Sequence, residues 1–457
     1  MKQLYLSAAH KSSGKTTVTL GLCAAFVARG LSVSPFKKGP DYIDPMWLSM
    51  AAGSPCHTLD FYTMEEQEIL DLYLQERKDS DLVLLEGNKG LYDGLSLNGS
   101  DSNGAMAKLL QLPVILVINT NGITRGIAPL LLGYQEFDPK IEFAGVILNQ
   151  TGNSRHEQKL QQVVEHYTDF QLLGTIRRHK DLEIVERHLG LVPSNEADAA
   201  RSKIDSIRSV VESQVDLQRI LEVAKDEDDQ ADEMPEESLT IDLTSAATLR
   251  IGIARDEAFG FYYPADLDAF RAEGVELVPF SPIHDVELPQ VDGLLFGGGF
   301  PETHMELLES NHSMRLQIRD AIEAGLPAYA ECGGLMYLSR QIEWLGRRAE
   351  MVGVVAGDCR MHERPQGRGY ARFSRDGIHE IPAHEFHYSS LEGLSEHTEY
   401  AHTIHRGYGI DGKRDGVVYK NLLAGYVHQR NTRQNPWVKD FVHFVHKLKP
   451  EKSKDKQ

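Results

Sequence analysis

The segment Ala9-His10-Lys11-Ser12-Ser13-Gly14-Lys15-Thr16 limits what this chain can fold into more than any other. An apolar run, Gln3 to Ala8, leads into it, and a helical pattern, Thr16 to Arg29, leaves it and stops before Gly30. Strand, loop and helix in this order match the phosphate-loop pattern GxxxxGK[ST], except that Ala9 replaces the first glycine. Backbone N–H groups of such a loop cradle phosphates, and the helix N-terminus favours the anion. Lys15 then reaches the terminal phosphates and Thr16 holds Mg²⁺. A Gly/Ser turn that only caps a helix is the plain alternative, but the position between a strand and a helix favours a nucleotide. The expected nucleotide contacts are Ser13, Gly14, Lys15, Thr16 and Thr17.

Further apolar runs, Leu82 to Leu85, Pro113 to Ile118 and Phe143 to Leu148, alternate with helical stretches, which predicts a parallel sheet with helices on both faces. Between Asp226 and Glu237 eight of twelve residues are Asp or Glu, with one proline and no aromatic residue. Such a segment buries too little surface to order itself and reads as a linker. Strand patterns restart at Leu249 to Ala254, Gly293 to Phe296 and Leu326 to Ala330, with helical patterns from Asp266 and Met305. The expected organisation is α/β throughout. A phosphate-loop domain spans 1–225, an acidic linker 226–248, a second α/β domain 249–446 and a basic frayed tail 447–457. A chain of 457 residues has room for two or three such cores.

Composition excludes several classes of function. Hydrophobic residues make up 41% and charged residues 25%, and no stretch approaches the roughly 20 apolar residues of a membrane helix. Met1 to Tyr5 has no export pattern. Four cysteines without CxxC spacing argue against a disulfide framework or structural zinc and suit a reducing cytoplasm. The formal charge of −19 disfavours binding to nucleic acid or to an anionic membrane surface.

A phosphate site needs carboxylates for its metal. Two loop motifs supply them: Lys37-Lys38-Gly39-Pro40-Asp41-Tyr42-Ile43-Asp44-Pro45 and Glu86-Gly87-Asn88-Lys89-Gly90-Leu91-Tyr92-Asp93-Gly94. Glu86 follows a predicted strand, so its side chain emerges at the carboxyl edge where open α/β sheets bind ligands. It is the first Mg²⁺ candidate. Asp41, Asp44 and Asp93, taken singly, read equally well as turn and cap residues beside Pro and Gly.

In the second half, Glu331-Cys332-Gly333-Gly334 places a thiol at a strand-to-helix corner, where a helix N-terminus favours a nucleophilic thiolate. A small buried core cysteine is the alternative. The run Phe296-Gly297-Gly298-Gly299-Phe300 follows another strand, and its N–H groups suit the oxyanion of an acyl-transfer intermediate. A base is also required, and His428 follows the apolar Leu422-Leu423-Ala424, although sequence chemistry alone does not select it among nineteen histidines. His384-Glu385-Phe386-His387 is one residue short of the zinc motif HExxH and is read as unrelated to zinc.

Taken together, these stretches resemble the cobyrinic acid a,c-diamide synthase family, two-domain amidotransferases that act on tetrapyrroles. The resemblance spans nearly the whole chain. It rests on the phosphate loop, the motifs at 37–45 and 86–94, Gly-Val-Ile-Leu-Asn at 145–149, Ala-Arg-Asp-Glu-Ala-Phe at 254–259, and Gly-Gly-Gly-Phe-Pro-Glu at 297–302. Ala-Glu-Cys-Gly-Gly-Leu-Met-Tyr-Leu at 330–338 and Glu-Phe-His-Tyr-Ser at 385–389 complete it. It implies a dethiobiotin-synthetase-like ATP domain and a class I glutamine amidotransferase domain, with ATP and Mg²⁺ as cofactors and glutamine and a tetrapyrrole as substrates. ATP would phosphorylate a peripheral carboxylate and ammonia from glutamine would displace the phosphate.

By this resemblance Cys332 is the nucleophile, His428 its base, and Asn149 an adenine contact. Gly298, Gly299 and Gly333 serve the oxyanion and glutamine, Thr16, Asp41 and Glu86 the metal, and Tyr42, Asp44 and Asp93 the substrate. The family pairs cysteine with histidine without needing a third acid, and a homodimer is compatible with it. Five positions depart from the family pattern: Ala9, the pair Asn88-Lys89, Asn119 where an acid is frequent, and Arg430 where a second histidine is common. These departures keep sirohydrochlorin, its nickel complex and sirohaem beside cobyrinic acid as candidate acceptors. A ParA-like ATPase switch is the remaining alternative; its loop usually carries a lysine where this chain has His10, and a switch has no need of a glutaminase half.

Overall fold

Strands buried on both faces read as continuous apolar runs, and such runs with their crossover helices dictate the first domain. The computed structural model describes residues 1–179, 182, 186–187, 190–191, 197–227 and 249–449, and divides the chain into two units, Met1–Glu237 and Ser238–Gln457. The first unit begins with β1 (Lys2–Ala8), α1 (Lys15–Ala28), β2 (Val33–Lys38), α2 (Ile43–Ala52), β3 (His57–Leu59), α3 (Glu66–Glu76) and β4 (Leu82–Glu86). It continues through α4 (Asn103–Leu109), β5 (Val114–Asn119), α5 (Ile127–Phe137), β6 (Phe143–Thr151), α6 (Ser154–Tyr167) and β7 (Leu172–Arg177). The short pair β8 (Glu186–Arg187) and β9 (Gly190–Leu191), α7 (Ala197–Gln214), α8 (Leu217–Val223) and β10 (Lys225–Asp226) complete it.

The strand order is β3-β2-β4-β1-β5-β6-β7, parallel throughout, with β10 antiparallel on the start of β1. All carboxyl ends therefore share one edge. That last pairing corrects the linker expectation at its first residues. Asp226 pairs with Lys2, and Glu227 forms an ion pair with Arg77 at 2.5 Å, because sheet and arginine supply the partners the acidic run lacks on its own. The rest of the expected linker, 228–248, lies outside the described residues.

The second unit starts with β11 (Leu249–Ala254), β12 (Phe259–Phe261), α9 (Pro264–Ala272), β13 (Val275–Phe280), β14 (Gly293–Phe296), β15 (Gly298–Gly299), α10 (Met305–Ser310) and α11 (His312–Glu323). β16 (Ala328–Glu331), α12 (Gly333–Leu338), β17 (Gln341–Trp344), β18 (Arg347–Glu350), β19 (Asp358–Met361), β20 (Gly367–Ser374) and β21 (Ile381–His387) follow. β22 (Ser389–Glu392), β23 (Glu399–Arg406), β24 (Arg414–Tyr419), β25 (Leu422–Gly425) and α13 (Trp437–Leu448) end it. Its main sheet runs β13-β11-β14-β16-β25 in parallel and then β24-β23-β20-β21 antiparallel. A smaller sheet, β18-β17-β19-β22, packs beside it.

The antiparallel extension lies outside the sequence expectation. Its strands are half exposed and carry charges, as in Glu399–Arg406, so they show none of the continuous apolar runs that mark the parallel strands. The tail expectation is corrected at its start. α13 continues to Leu448 because Val438, Phe441, Val442 and Val445 bury one face, and Lys449 Nζ then meets Asp292 at 2.9 Å. Residues 450–457 lie outside the described residues. No helix among the described residues is long and apolar enough to cross a membrane.

α1, which presents the phosphate loop, is held from behind by α7. The approach is close only because residue 21 has no side chain: a Cβ on Gly21 would stand 2.4 Å from Val211 Cγ2 and 3.2 Å from Ile207 Cγ2. Gly21→Leu should therefore overpack this contact and destabilise the protein by about 1–3 kcal/mol. Urea unfolding measures the loss, and a variant as stable as the parent would show that α7 is not seated against α1 in this way.

Candidate active sites

The first site gathers at the carboxyl edge of the parallel sheet in unit one. Gly14 takes φ +84°, and a Cβ there would lie 2.1 Å from Asn149 Nδ2, so both backbone and neighbour require glycine. Asn149, two residues before the end of β6, donates from Nδ2 to the Ser13 carbonyl at 2.8 Å and braces the loop. Ser13 Oγ donates to the His10 carbonyl at 2.8 Å. Ala9 carries no positive φ, so the methyl that breaks the pattern imposes no backbone strain. Its carbonyl accepts a hydrogen bond from Tyr134 Oη.

Parallel register sets Glu86 opposite Leu6 of β1 on one side and opposite Lys37 of β2 on the other. Thr16, in the first turn of α1, donates from Oγ1 to Glu86 Oε1 at 2.8 Å and to Asp44 Oδ2 at 3.2 Å. Lys37 Nζ joins the same two oxygens, at 2.7 Å from Glu86 Oε1 and 2.5 Å from Asp44 Oδ2. Glu86 is 0% exposed, and its second oxygen, Oε2, is buried with no hydrogen-bond partner. An orphaned carboxylate oxygen, a second carboxylate and a threonine hydroxyl at one point form the oxygen set a hard divalent cation takes, so these residues fit Mg²⁺.

Asp41 stands beside this cluster. Its Oδ1 accepts from the Ile43 and Asp44 backbone N–H groups, and its Oδ2 lies 4.0 Å from Lys37 Nζ. Tyr42 precedes α2 and is largely buried. Asp93 Oδ2 accepts from Gly90 N–H at 2.8 Å and fixes the turn that packs on the Ala9 carbonyl. Burial, and then the Lys37 charge, lower Lys15 to about 8. Thr17 is half-buried on α1 one residue further on.

The second site lies at the carboxyl edge of the parallel half of unit two. β16 and β25 are neighbours, with Glu331 opposite Gly425, so the residues just beyond both strands meet. Cys332 N–H donates to the Gly425 carbonyl at 2.8 Å. The residue adopts φ +48° and ψ −102° at the corner into α12, a strained conformation for a side chain with a Cβ. It is 6% exposed, and its Sγ lies 3.9 Å from the Phe386 carbonyl oxygen.

His428 faces this thiol. Burial works to lower its pKa, but hydrogen bonds with Cys332 and Glu331 override it and raise the imidazole to about 10. His428 Nδ1 lies 3.4 Å from Glu331 Oε2, while Glu331 Oε1 accepts from Tyr329 Oη at 2.6 Å and Gln429 N–H at 2.9 Å. The buried imidazole stacks on His384, with ring centroids 4.8 Å apart and planes 15° apart. Burial, then the charges of His428 and Arg430, hold His384 well below its ordinary pKa, so a neutral ring backs a protonated one.

Three glycines close round the thiol. A Cβ on Gly298 would touch His428 Cε1 at 2.9 Å, and one on Gly333 would touch Gly299 N at the same distance. Gly299 packs so tightly on β12 that a Cβ would stand 1.9 Å from the Ala258 carbonyl oxygen. Sequence reasoning quoted Glu331 and Lys37 inside motifs but gave neither a role. A carboxylate directly before a candidate nucleophile, and a lysine at the buried end of a strand, were the signals available for them.

Family models match both units. A CobQ/CobB/MinD/ParA nucleotide binding domain covers residues 8–192, and a CobB/CobQ-like glutamine amidotransferase domain covers residues 250–436. A cobyrinate a,c-diamide synthase of Magnetococcus marinus is 43% identical, over 93% of this chain and 93% of its own length. One from Methanosarcina acetivorans is 40% identical, over 93% and 92%, and one from Dehalococcoides mccartyi 37%, over 96% and 97%. Relatives this similar along nearly the whole length, with both domains in the same order, show that the chain belongs to the cobyrinate a,c-diamide synthase family.

Proposed function

We propose that this protein converts the a and c acetate carboxylates of cobyrinic acid to amides, with glutamine as nitrogen donor and ATP as activator. The observation that carries the reading is the presence in one chain of two built sites. One is a phosphate loop facing paired carboxylates, and the other a strained cysteine facing a histidine raised by its neighbours.

In the glutaminase half, the Cys332 sulfur attacks the glutamine carboxamide carbon and a glutamyl thioester forms. His428, holding a proton, gives it to the departing nitrogen, so ammonia leaves; water then releases glutamate. Glu331 holds the imidazole by Nδ1 and balances its charge. N–H groups of Gly298, Gly299 and Gly333 are assigned to the oxyanion. In the other half, the loop from Ser13 to Thr17 and Lys15 hold the ATP phosphates, and Asn149 holds the loop beside the adenine end. Thr16, Asp41 and Glu86 would hold Mg²⁺, joined by Asp44, which the sequence analysis gave to the substrate and which we move to the metal because its Oδ2 shares Thr16 Oγ1 with Glu86; the ion would supply charge neutralisation for the transferring phosphoryl group. Tyr42 and Asp93 are assigned to the macrocycle. The carboxylate oxygen takes the γ-phosphoryl group to give an acyl phosphate and ADP. Ammonia attacks that carbon, and phosphate leaves. Four free thiols suit a cytoplasmic setting for this chemistry.

Cys332→Ala should abolish amidation with glutamine and retain it with concentrated ammonia, since only thioester formation is lost. Product mass after incubation with each nitrogen source checks this, and equal failure with both, in a folded variant, would contradict the role given to the thiol. His428→Asn and Glu331→Gln should each slow glutamine hydrolysis, the first by roughly 10² or more and the second by less, because one removes the proton donor and the other only its support. Glutamate release is the readout; unchanged turnover in His428→Asn would break the pairing. Glu86→Gln should lose the ATP-dependent step with either nitrogen source while glutamine hydrolysis persists. ADP formation in the presence of cobyrinic acid tests it, and a normal rate at low Mg²⁺ would remove Glu86 from the metal site.

A further inference from the structure

The proposed chemistry leaves Lys37, at the centre of the first site, without a task. It is the penultimate of its strand's six buried residues, and only 3% of its side chain is exposed. Burying an ammonium is costly unless its partners are close, and here they are Glu86 Oε1 at 2.7 Å and Asp44 Oδ2 at 2.5 Å. Its neighbour Lys38 takes another course and lies over the Phe61 ring. The two oxygens that hold Lys37 are the same two to which Thr16 Oγ1 donates, so ammonium and metal ion compete for one set of lone pairs. Glu86 Oε2, buried and unpartnered, remains as a ligand that the ammonium does not satisfy.

We propose that Lys37 is a stand-in cation: its ammonium occupies the Asp44–Glu86 oxygen pair while the nucleotide is absent and yields it to the divalent ion only when phosphates arrive. The inference rests on the reading that this edge binds ATP with Mg²⁺. A divalent ion entering alone would meet two buried cations, Lys37 and Lys15, at short range, and like charges in a site of low dielectric repel strongly. Nucleotide phosphates change that balance. They bring negative charge for both lysines and further oxygens for the metal, so Lys37 leaves the carboxylates for the phosphate side. Metal and nucleotide then load together, and the carboxylates stay gathered in the meantime without a metal to hold them.

Manganese, a paramagnetic stand-in for Mg²⁺, gives a readout that does not depend on turnover. Titrating the full chain with Mn²⁺ and following the free ion by electron paramagnetic resonance should show weak binding without nucleotide and tight binding with a non-hydrolysable ATP analogue. Lys37→Met should bind Mn²⁺ without nucleotide roughly tenfold or more tightly than the parent, because a competitor and a repelling charge go together. Should that chain fold poorly from the uncompensated carboxylates, Mn²⁺ alone is expected to raise its unfolding temperature, and Lys37→Gln, which keeps an N–H donor, serves beside it. Tight Mn²⁺ binding by the nucleotide-free parent overturns the proposal, as does equal affinity in parent and variants. Failure of the parent to bind Mn²⁺ even with the ATP analogue strikes instead at the ATP and metal reading itself.

Discussion

Parallel strand pairing puts every carboxyl end of a sheet at one edge, and both sites depend on it. In unit one, Glu86 is set between Leu6 and Lys37 by register alone, so the last residue of β4, the penultimate residue of β2 and the loop after β1 arrive at one point before any of their own contacts form. In unit two, Glu331 opposite Gly425 does the same for the thiol and the imidazole. A slip of one residue would turn each of these side chains to the other face. The apolar runs that resist such a slip therefore hold the chemistry in place, although none of their residues takes part in it.

The two edges store their free energy differently. At the first, charge is gathered in a dry place and balanced: burial pushes Asp44 up, Lys37 overrides it and holds the carboxyl below its ordinary range, and Asp44 and Glu86 in turn keep Lys37 protonated despite burial. At the second, the backbone is strained. Cys332 at φ +48° persists because the ladder to Gly425 on one side and α12 on the other determine the corner. Charge clusters answer to ligands that carry charge, whereas a strained corner presents one atom in one direction. The first arrangement suits phosphate and metal, and the second suits an attacking sulfur.

What the sequence made legible follows from the same division. Buried parallel strands announce themselves as apolar runs, so β1, β4, β5, β6, β11 and β14 could be placed nearly to the residue, and with them the corners at Gly14 and Cys332. Strands from Gln341 to Tyr419 are half exposed, alternate irregularly and, apart from the parallel pair β17 and β19, pair antiparallel, and they left no such mark. Pairings across long sequence distances were equally silent. Nothing in the chain says that His428 stacks on His384, or that Lys37 reaches Glu86, because each contact depends on a register that only the folded sheet defines. The resemblance placed His428 beside Cys332 in expectation, and it left out the carboxylate one residue upstream.

That carboxylate changes how the departures from the family pattern should be weighed. Glu331 and Cys332 are consecutive, so a single register between β16 and β25 brings thiol, imidazole and carboxylate together, and no residue after His428 is needed to supply a carboxylate or a second imidazole there. Arg430, where a histidine is common in the family, is free of that duty and lies over the Tyr263 ring at 4.9 Å. Asn119, where an acid is frequent, accepts from the Asn121 backbone in a local turn and touches neither Thr16 nor Glu86 by any hydrogen bond among the described residues. Ala9 needs no glycine, having no positive φ. Each substitution thus falls beside the chemistry, not within it, and the differences that remain, at Asn88 and Lys89, belong to the loop leading to Asp93. That is the segment proposed to face the macrocycle, so these two positions, unlike the other three, stand where the proposal meets its substrate.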